Sequence, residues 1–269
     1  MPSTNDEYHK IKKLAESLAK EAGLYVLRIQ KSSNVVKHKD NQDICTTADL
    51  GSEKIILDGI RSKFPSHSIL SEEAGLSKEK SNFRWIIDPL DGTKEYVRDI
   101  PQFNVSIAVE HNGELVVAAI YRPTDDTIYS ASLDEGAYKN GVKIHVSNVS
   151  TLEDSFIYSY LPSYKRNPRD YDTSWNQLKV VGKNCYRLRS FADENTALCW
   201  LAQGGHEGYI NLGNPPKWHD IAPGLFIAKS AGAYIPENLI EKIKNQEKCS
   251  IIITNNKLNW DKINKLTQE

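Results

Sequence analysis

One run constrains this chain more than any other: Asp88-Pro89-Leu90-Asp91-Gly92-Thr93. It is preceded by Phe83-Arg84-Trp85-Ile86-Ile87, aromatic and β-branched and therefore strand-like. Lys94-Glu95-Tyr96-Val97 follows and reads as the opening of a helix. Two carboxylates thus stand where a buried strand ends and a helix begins, beside backbone N–H groups that favour an anion. Carboxylates alone would repel that anion, so the arrangement calls for a cation between them. Capping explains one Asp of such a pair but not both, nor the Gly-Thr that follows. Two carboxylates about 4 Å apart repel by roughly 4 kcal/mol at an effective dielectric near 20, and a divalent ion reverses that sign. The run implies metal plus phosphate.

Other acids take the same position at element ends. Glu72 and Glu73 follow the strand-like Ser68-Ile69-Leu70, where a solvated turn is the plain alternative. Asp49 in Thr46-Thr47-Ala48-Asp49 and Asp220 in Trp218-His219-Asp220 each precede a helical run and could serve as N-caps. Each is weak alone. Together they form an oxygen-rich set of the kind magnesium takes, with which two ions can polarise a phosphoryl oxygen and activate water.

The 269 residues suffice for a full core. A hydrophobic share of 39% with 26% charged residues is that of a soluble globular protein, and a net charge of −1 points to neither a nucleic-acid polymer nor a membrane surface as partner. Residues 1–23 carry a charged helical pattern rather than a signal peptide. Cys45, Cys185, Cys199 and Cys249 are scattered without a C-x-x-C pair, which fits buried thiols in a reducing cytoplasm.

Apolar residues from Tyr8 to Ile29 recur at helical spacing, and a second helix is expected from Leu50 to Phe64, stopped by Pro65. Val105, Ile107 and Val109 alternate into the turn His111–Glu114, and Leu115, Val117 and Ala119 alternate out of it. Strands are expected again at 128–130 and 137–138, with Asn140-Gly141 as a turn. Residues 1–150 therefore read as an α+β half, helices on an antiparallel sheet. Residues 151–269 read as an α/β half: strands at Phe156–Tyr160, 209–210 and Ile251–Thr254, helices at Asn195–Ala202, Ile221–Ser230 and Leu258–Thr267, and a surface loop over Pro162–Trp175.

Trp85–Thr93 resembles the signature of the inositol monophosphatase superfamily. Thr46–Asp49, Pro65–Glu73, Trp218–Gly224 and Ala231-Gly232-Ala233 extend the likeness over roughly Lys39 to Tyr234. The resemblance implies a layered α-β-α-β-α sandwich, often a homodimer, and a lithium-sensitive, magnesium-dependent phosphomonoesterase acting on a small phosphate ester by direct attack of a metal-activated water. Carried over residue by residue, it puts Glu72, Asp88 and the Leu90 carbonyl on one Mg²⁺. Asp88, Asp91 and Asp220 fall on a second ion, and Asp49 on a looser third. The Gly92 and Thr93 amides would cradle the phosphate. Thr93, with Glu72 or Asp49, would orient and deprotonate the water.

The substrate-reading half departs from the family. His219 stands between Trp218 and Asp220, where the family joins Trp directly to Asp. Asn211 replaces a ring-contacting Glu, and Ala192-Asp193-Glu194 replaces Gly-Thr-Ala, making Asp193, Glu194 and Asn211 the candidate substrate contacts. The implied substrate is a small polyol or sugar phosphate, inositol monophosphate by default. Lys94-Glu95 after Asp-Gly-Thr is similar instead to the 3′(2′),5′-bisphosphate nucleotidase branch, for which Tyr164, Trp175 or Trp200 could stack on adenine. A haloacid-dehalogenase mechanism needs its two acids two positions apart, not three. A binding protein that kept the fold and lost turnover is the reading from a different class. No P-loop occurs.

Overall fold

The computed structural model describes residues 4–38, 43–190, 193–213 and 216–268. Helix α1 (Thr4–Ile29) leads to a short hairpin, β1 (Val35–His38) and β2 (Ile44–Thr46), and then to α2 (Thr47–Lys63). The α2 N-terminus is a capping box: Thr46 is the N-cap, and Asp49 returns a carboxylate oxygen to the Thr46 amide at 2.8 Å. β3 (Ser68–Ser71), β4 (Gly75–Leu76) and β5 (Phe83–Asp91) follow, then a single helical turn, α3 (Thr93–Tyr96). A meander continues through β6 (Asn104–His111), β7 (Glu114–Arg122), β8 (Thr127–Ser132), β9 (Gly136–Lys139) and β10 (Val142–Lys143). These strands make an eight-stranded sheet in the order β10-β9-β8-β7-β6-β5-β3-β4, antiparallel except where β3 runs parallel to β5.

The remaining chain alternates β11 (Phe156–Tyr160), α4 (Tyr171–Asn184), β12 (Arg187–Arg189), α5 (Glu194–Ala202), β13 (Gly208–Asn211), α6 (Trp218–Ser230), α7 (Leu239–Lys244), β14 (Ile251–Thr254) and α8 (Lys257–Leu266). Its sheet has the order β12-β11-β13-β14, with β11 parallel to both neighbours.

Side-chain alternation along the strands sorts the apolar residues into layers. Trp85, Ile87, Ile107 and Val117 face α1 and α2, burying Ile11, Ala15, Ile56 and Ile60. Ile86, Ala108 and Ala118 point the other way, onto Leu198, Ile221 and Leu225 of α5 and α6. Tyr209, Ile251 and Ile253 close that middle layer from the second sheet. Ile157, Ile210 and Ile252 face outward onto Leu178, Val181 and Ile263 of α4 and α8. The result is an α-β-α-β-α sandwich.

Three local expectations change. Trp175 and the residues from Tyr171 onward belong to α4 rather than to a loop, because Ser174, Leu178 and Val181 form a buried stripe. Val35–His38 and Ile44–Thr46 pair as a hairpin that no alternation in these short segments announces, since Val35 and Val36 stay exposed. Cys45 and Cys199 are buried thiols, whereas Cys185 and Cys249 are half-buried, and all four are free. No helix among the described residues is long and apolar enough to cross a membrane.

Candidate active site

The acids of the Asp88–Asp91 run belong to β5 itself, which continues to Asp91. Residues an odd number apart on a strand face opposite sides of the sheet, so an unbroken β5 would separate Asp88 from Asp91. It is broken. Asp88 pairs with Ser106 and Asp91 with Asn104, so three steps on β5 match two on β6. This bulge, at Pro89 and Leu90, turns both carboxylates into one cavity. Proline supplies the interruption because it cannot donate to the ladder.

Gly92 follows in the left-handed region at φ 86°; a Cβ there would come within 2.5 Å of the Gln102 carbonyl oxygen, so the tight turn requires glycine. The amides of Gly92 and Thr93 open the α3 turn, where helical N–H groups lack internal acceptors. With one turn only, α3 offers these amides rather than an extended dipole.

The cavity, about 810 Å³, lies at this strand end and between the two sheets' loops. Glu72, Asp88, Leu90, Asp91, Gly92, Thr93 and Asp220 all line it, as do Asp193, Glu194 and Asn211. Glu72 is fixed by its amide, which donates to the Ile87 carbonyl at 3.1 Å. Asp220 sits in the first turn of α6 and accepts from the Lys217 amide at 3.2 Å. Asp49 is fully buried and stands behind the wall, its Oδ1 accepting from Thr93 Oγ1 at 3.2 Å. Thr93 Oγ1 also lies 2.9 Å from the Leu90 carbonyl oxygen. Glu72 was the other expected partner of Thr93; the contact the geometry provides is with Asp49.

Electrostatics set these groups apart from ordinary surface acids. Burial, then the charges of Glu72, Asp91 and Asp220, push the Asp88 carboxyl well above its usual range, and Asp88 shares a hydrogen bond with Glu72. Burial, then Asp193, Glu194 and Asp220, do the same to Asp91. Burial raises Asp49 to about 6 against the lowering effect of its Thr46 hydrogen bonds. Burial and Asp220 raise Glu194 to about 8.

Hard oxygen donors, mutually repelling and confined in one cavity, are the chemistry of a site for a small divalent cation. As the side chains lie, no three His, Cys, Asp or Glu among the described residues form a closed metal-holding group. Each carboxylate has instead taken the nearest donor: Asp91 Oδ2 accepts from Asn104 Nδ2 at 3.1 Å and Asn195 Nδ2 at 3.0 Å. The chemistry of the donor set, carboxylate and carbonyl oxygens, fits such an ion.

Sequence reasoning missed Asn104 and Asn195. Both are fully buried, and Asn195 also accepts from the Gly224 amide at 2.9 Å, tying β5 to α5 and α6. The signal available was Asn195 directly after Asp193-Glu194, where a buried amide must find partners. Asp193 is the α5 N-cap, accepting from the Thr196 amide at 2.6 Å. Ala192 lies outside the described residues. His219 is on α6 rather than in a loop; its Nε2 is 3.0 Å from Asp220 Oδ1 but off the line of a hydrogen bond. The displaced Trp218 donates to Glu110 Oε1 at 3.1 Å and anchors the start of α6, leaving Asp220 at the cavity. Trp200 belongs to a separate small cleft with Phe156 and Tyr158.

The model of the inositol monophosphatase family matches residues 7–269. The chain belongs to the inositol monophosphatase family. Its reaction class is that family's, phosphoric monoester hydrolysis, and members of the family are generally metal-dependent. A Vibrio cholerae protein named Nus factor SuhB is 32% identical over 85% of each chain. A fructose-1,6-bisphosphatase/inositol-1-monophosphatase of Aquifex aeolicus is 34% identical over 73% of each chain. The crystal structure of the extragenic suppressor protein suhB from Bartonella henselae superposes with a TM-score of 0.86 at 27% identity, over 97% of this chain and 99% of that one.

Proposed function

We propose that this family member is a Mg²⁺-dependent phosphomonoesterase of small polyol or sugar phosphates, with inositol monophosphate as the reference substrate. The observation that carries the reading is the β5 bulge, which turns Asp88 and Asp91 together into a cavity beside the Gly92 and Thr93 amides. Glu72, Asp88 and the Leu90 carbonyl would hold one ion, and Asp88, Asp91 and Asp220 a second. Bound there, Mg²⁺ would lower the cost of the negative charge on the phosphoryl group and of ionising water, and lithium would compete for the same oxygens.

The Gly92 and Thr93 amides would hold the phosphoryl oxygens. Thr93 Oγ1 reaches both the Leu90 carbonyl at 2.9 Å and Asp49 Oδ1 at 3.2 Å. With a cation on the Leu90 carbonyl, its one hydroxyl proton would go to Asp49 and leave the Thr93 oxygen to accept from the attacking water. With Asp49 near 6, that carboxyl is ionised above this pH and can receive a proton through Thr93. Thr46 and Thr93 engage both Asp49 oxygens, so Asp49 serves Thr93, and its remaining lone pairs would be what a looser third ion shares. The water oxygen bonds to phosphorus as the ester P–O bond breaks, with no covalent enzyme intermediate. In this division of labour residues 1–150 supply most of the acids, and residues 151–269 supply Asp220 and the substrate contacts Asp193, Glu194 and Asn211.

A second reading, 3′(2′),5′-bisphosphate nucleotide hydrolysis, is favoured by one observation. Tyr160 and Tyr171 line the cavity, and Tyr171 packs edge-on against Tyr164 and Trp175 at 5.5 and 6.3 Å, a wall on which a base could stack. Phosphate release with Mg²⁺ from inositol 1-phosphate, fructose 1,6-bisphosphate and 3′-phosphoadenosine 5′-phosphate, compared by kcat/KM, decides between them. Release from none of the three would remove both.

A further inference from the structure

Lys94 and Arg166 come from unrelated segments, the α3 turn and the loop between β11 and α4, yet they converge on one oxygen. Asp43 Oδ1 lies 2.7 Å from Lys94 Nζ and 3.2 Å from Arg166 Nη2. All three residues line the catalytic cavity, which Glu72, Asp88, Asp91, Glu194 and Asp220 also line. Lys94 is bonded directly to Thr93, so its ammonium stands within one lysine side chain of the phosphate cradle, and Arg166 meets it at Asp43. Arg166 is held from behind by Tyr160, toward whose hydroxyl its Nη1 points at 3.4 Å. The three side chains are each 30–43% exposed, and ion pairs so placed in water hold little energy. A carboxylate oxygen and a phosphate oxygen accept from lysine and arginine with the same geometry.

We propose that Lys94 and Arg166 form a seat for a second anionic group of the substrate, and that Asp43 fills this seat as a displaceable stand-in until the substrate arrives. The proposal rests on the phosphomonoesterase reading and narrows its substrate class to phosphate esters that carry a second phosphate or carboxylate. The two cations would offset part of the repulsion between the cavity's carboxylates and a doubly charged substrate, and an ester whose remainder is neutral would gain no such contact. Asp43 keeps the seat ordered and raises the threshold for weakly charged esters.

The test compares matched pairs: fructose 1,6-bisphosphate against fructose 1-phosphate, and 3′-phosphoadenosine 5′-phosphate against adenosine 3′-phosphate. The doubly charged member is expected to have the higher kcat/KM, and the pair showing the larger ratio identifies a sugar or a nucleotide. Lys94→Gln and Arg166→Gln should each shrink that ratio by roughly 10-fold or more, since each removes a charge-assisted contact. Equilibrium binding of the same bisphosphates in EDTA, where nothing turns over, should weaken in both variants and tighten several-fold in Asp43→Asn. Circular dichroism melts check that these surface variants fold. Ratios unchanged by both glutamines, or weaker binding in Asp43→Asn, overturn the seat. If the wild type hydrolyses none of the four esters, the reaction reading fails by itself, and the EDTA binding still decides the seat.

Discussion

Replacing Asp91 with Asn is expected to abolish turnover while making the metal-free protein more stable. The amide keeps the shape of the side chain and one oxygen that can still accept from Asn104 and Asn195, the two donors now on Asp91 Oδ2. What disappears is a carboxyl that burial, and then Asp193, Glu194 and Asp220, hold well above its unperturbed value of 3.8. Between pH 3.8 and its folded pKa, the folded protein binds more protons at this group than the unfolded chain does. Stability is therefore fully present below 3.8 and falls as pH rises toward the folded value, by about 1.4 kcal/mol per pH unit for each such group. At pH 8 the ceiling for one group is about 6 kcal/mol. Because Asp88 titrates together with Asp91 and the surroundings relax, the expected gain from Asp91→Asn is about 2–4 kcal/mol at pH 8 and close to zero at pH 4. Urea unfolding in EDTA at the two pH values measures it. Magnesium should reverse the order once it is near 1,000 times its Kd, where it adds about 4.1 kcal/mol to the wild type and little to the variant. A variant destabilised at pH 8, or stabilised equally at both pH values, would refute the electrostatic reasoning.

The other predictions concern the cradle and the ions. Thr93→Ala should lower kcat by about 10²–10⁴-fold with a smaller change in KM, because the link between water and Asp49 is lost; steady-state kinetics showing a normal kcat would remove Thr93 from that role. Gly92→Ala should cost about 1–3 kcal/mol, since it sets a side chain at φ 86° and within 2.5 Å of the Gln102 carbonyl; an unchanged Tm would contradict the turn geometry. Lithium at millimolar concentration should inhibit in competition with magnesium, and full activity in its presence would weaken the shared-cation assignment.

The layers were legible where burial writes a period into the sequence. Val105, Ile107 and Val109 alternate with the smaller Ser106 and Ala108 and match β6, whose bulky face meets α1 and α2. Ile251–Thr254 reads as an apolar run and matches β14, which is buried on both faces. The turns at 112–113 and 140–141 were legible because Asn-Gly accepts the positive φ that two-residue hairpins need. What stayed hidden has a common cause: it depends on contacts between distant segments. The β1–β2 hairpin is short, and its Val35 and Val36 are exposed while Cys45 and Thr46 are buried, so no alternating pattern marks it. The bulge at Pro89-Leu90 is visible only as a register slip against β6. The acids could be named one by one, but Asn195 and Asn104 became partners of Asp91 only when three elements met. Asp43, Lys94 and Arg166, 123 positions apart at their extremes, were likewise invisible as a group.

The most direct measurement is a crystal grown with Mn²⁺ and examined by anomalous scattering. Two peaks are expected, one among Glu72, Asp88 and the Leu90 carbonyl and one among Asp88, Asp91 and Asp220. Manganese absent from this cavity, or bound where Asp88 and Asp91 do not touch it, would contradict the account.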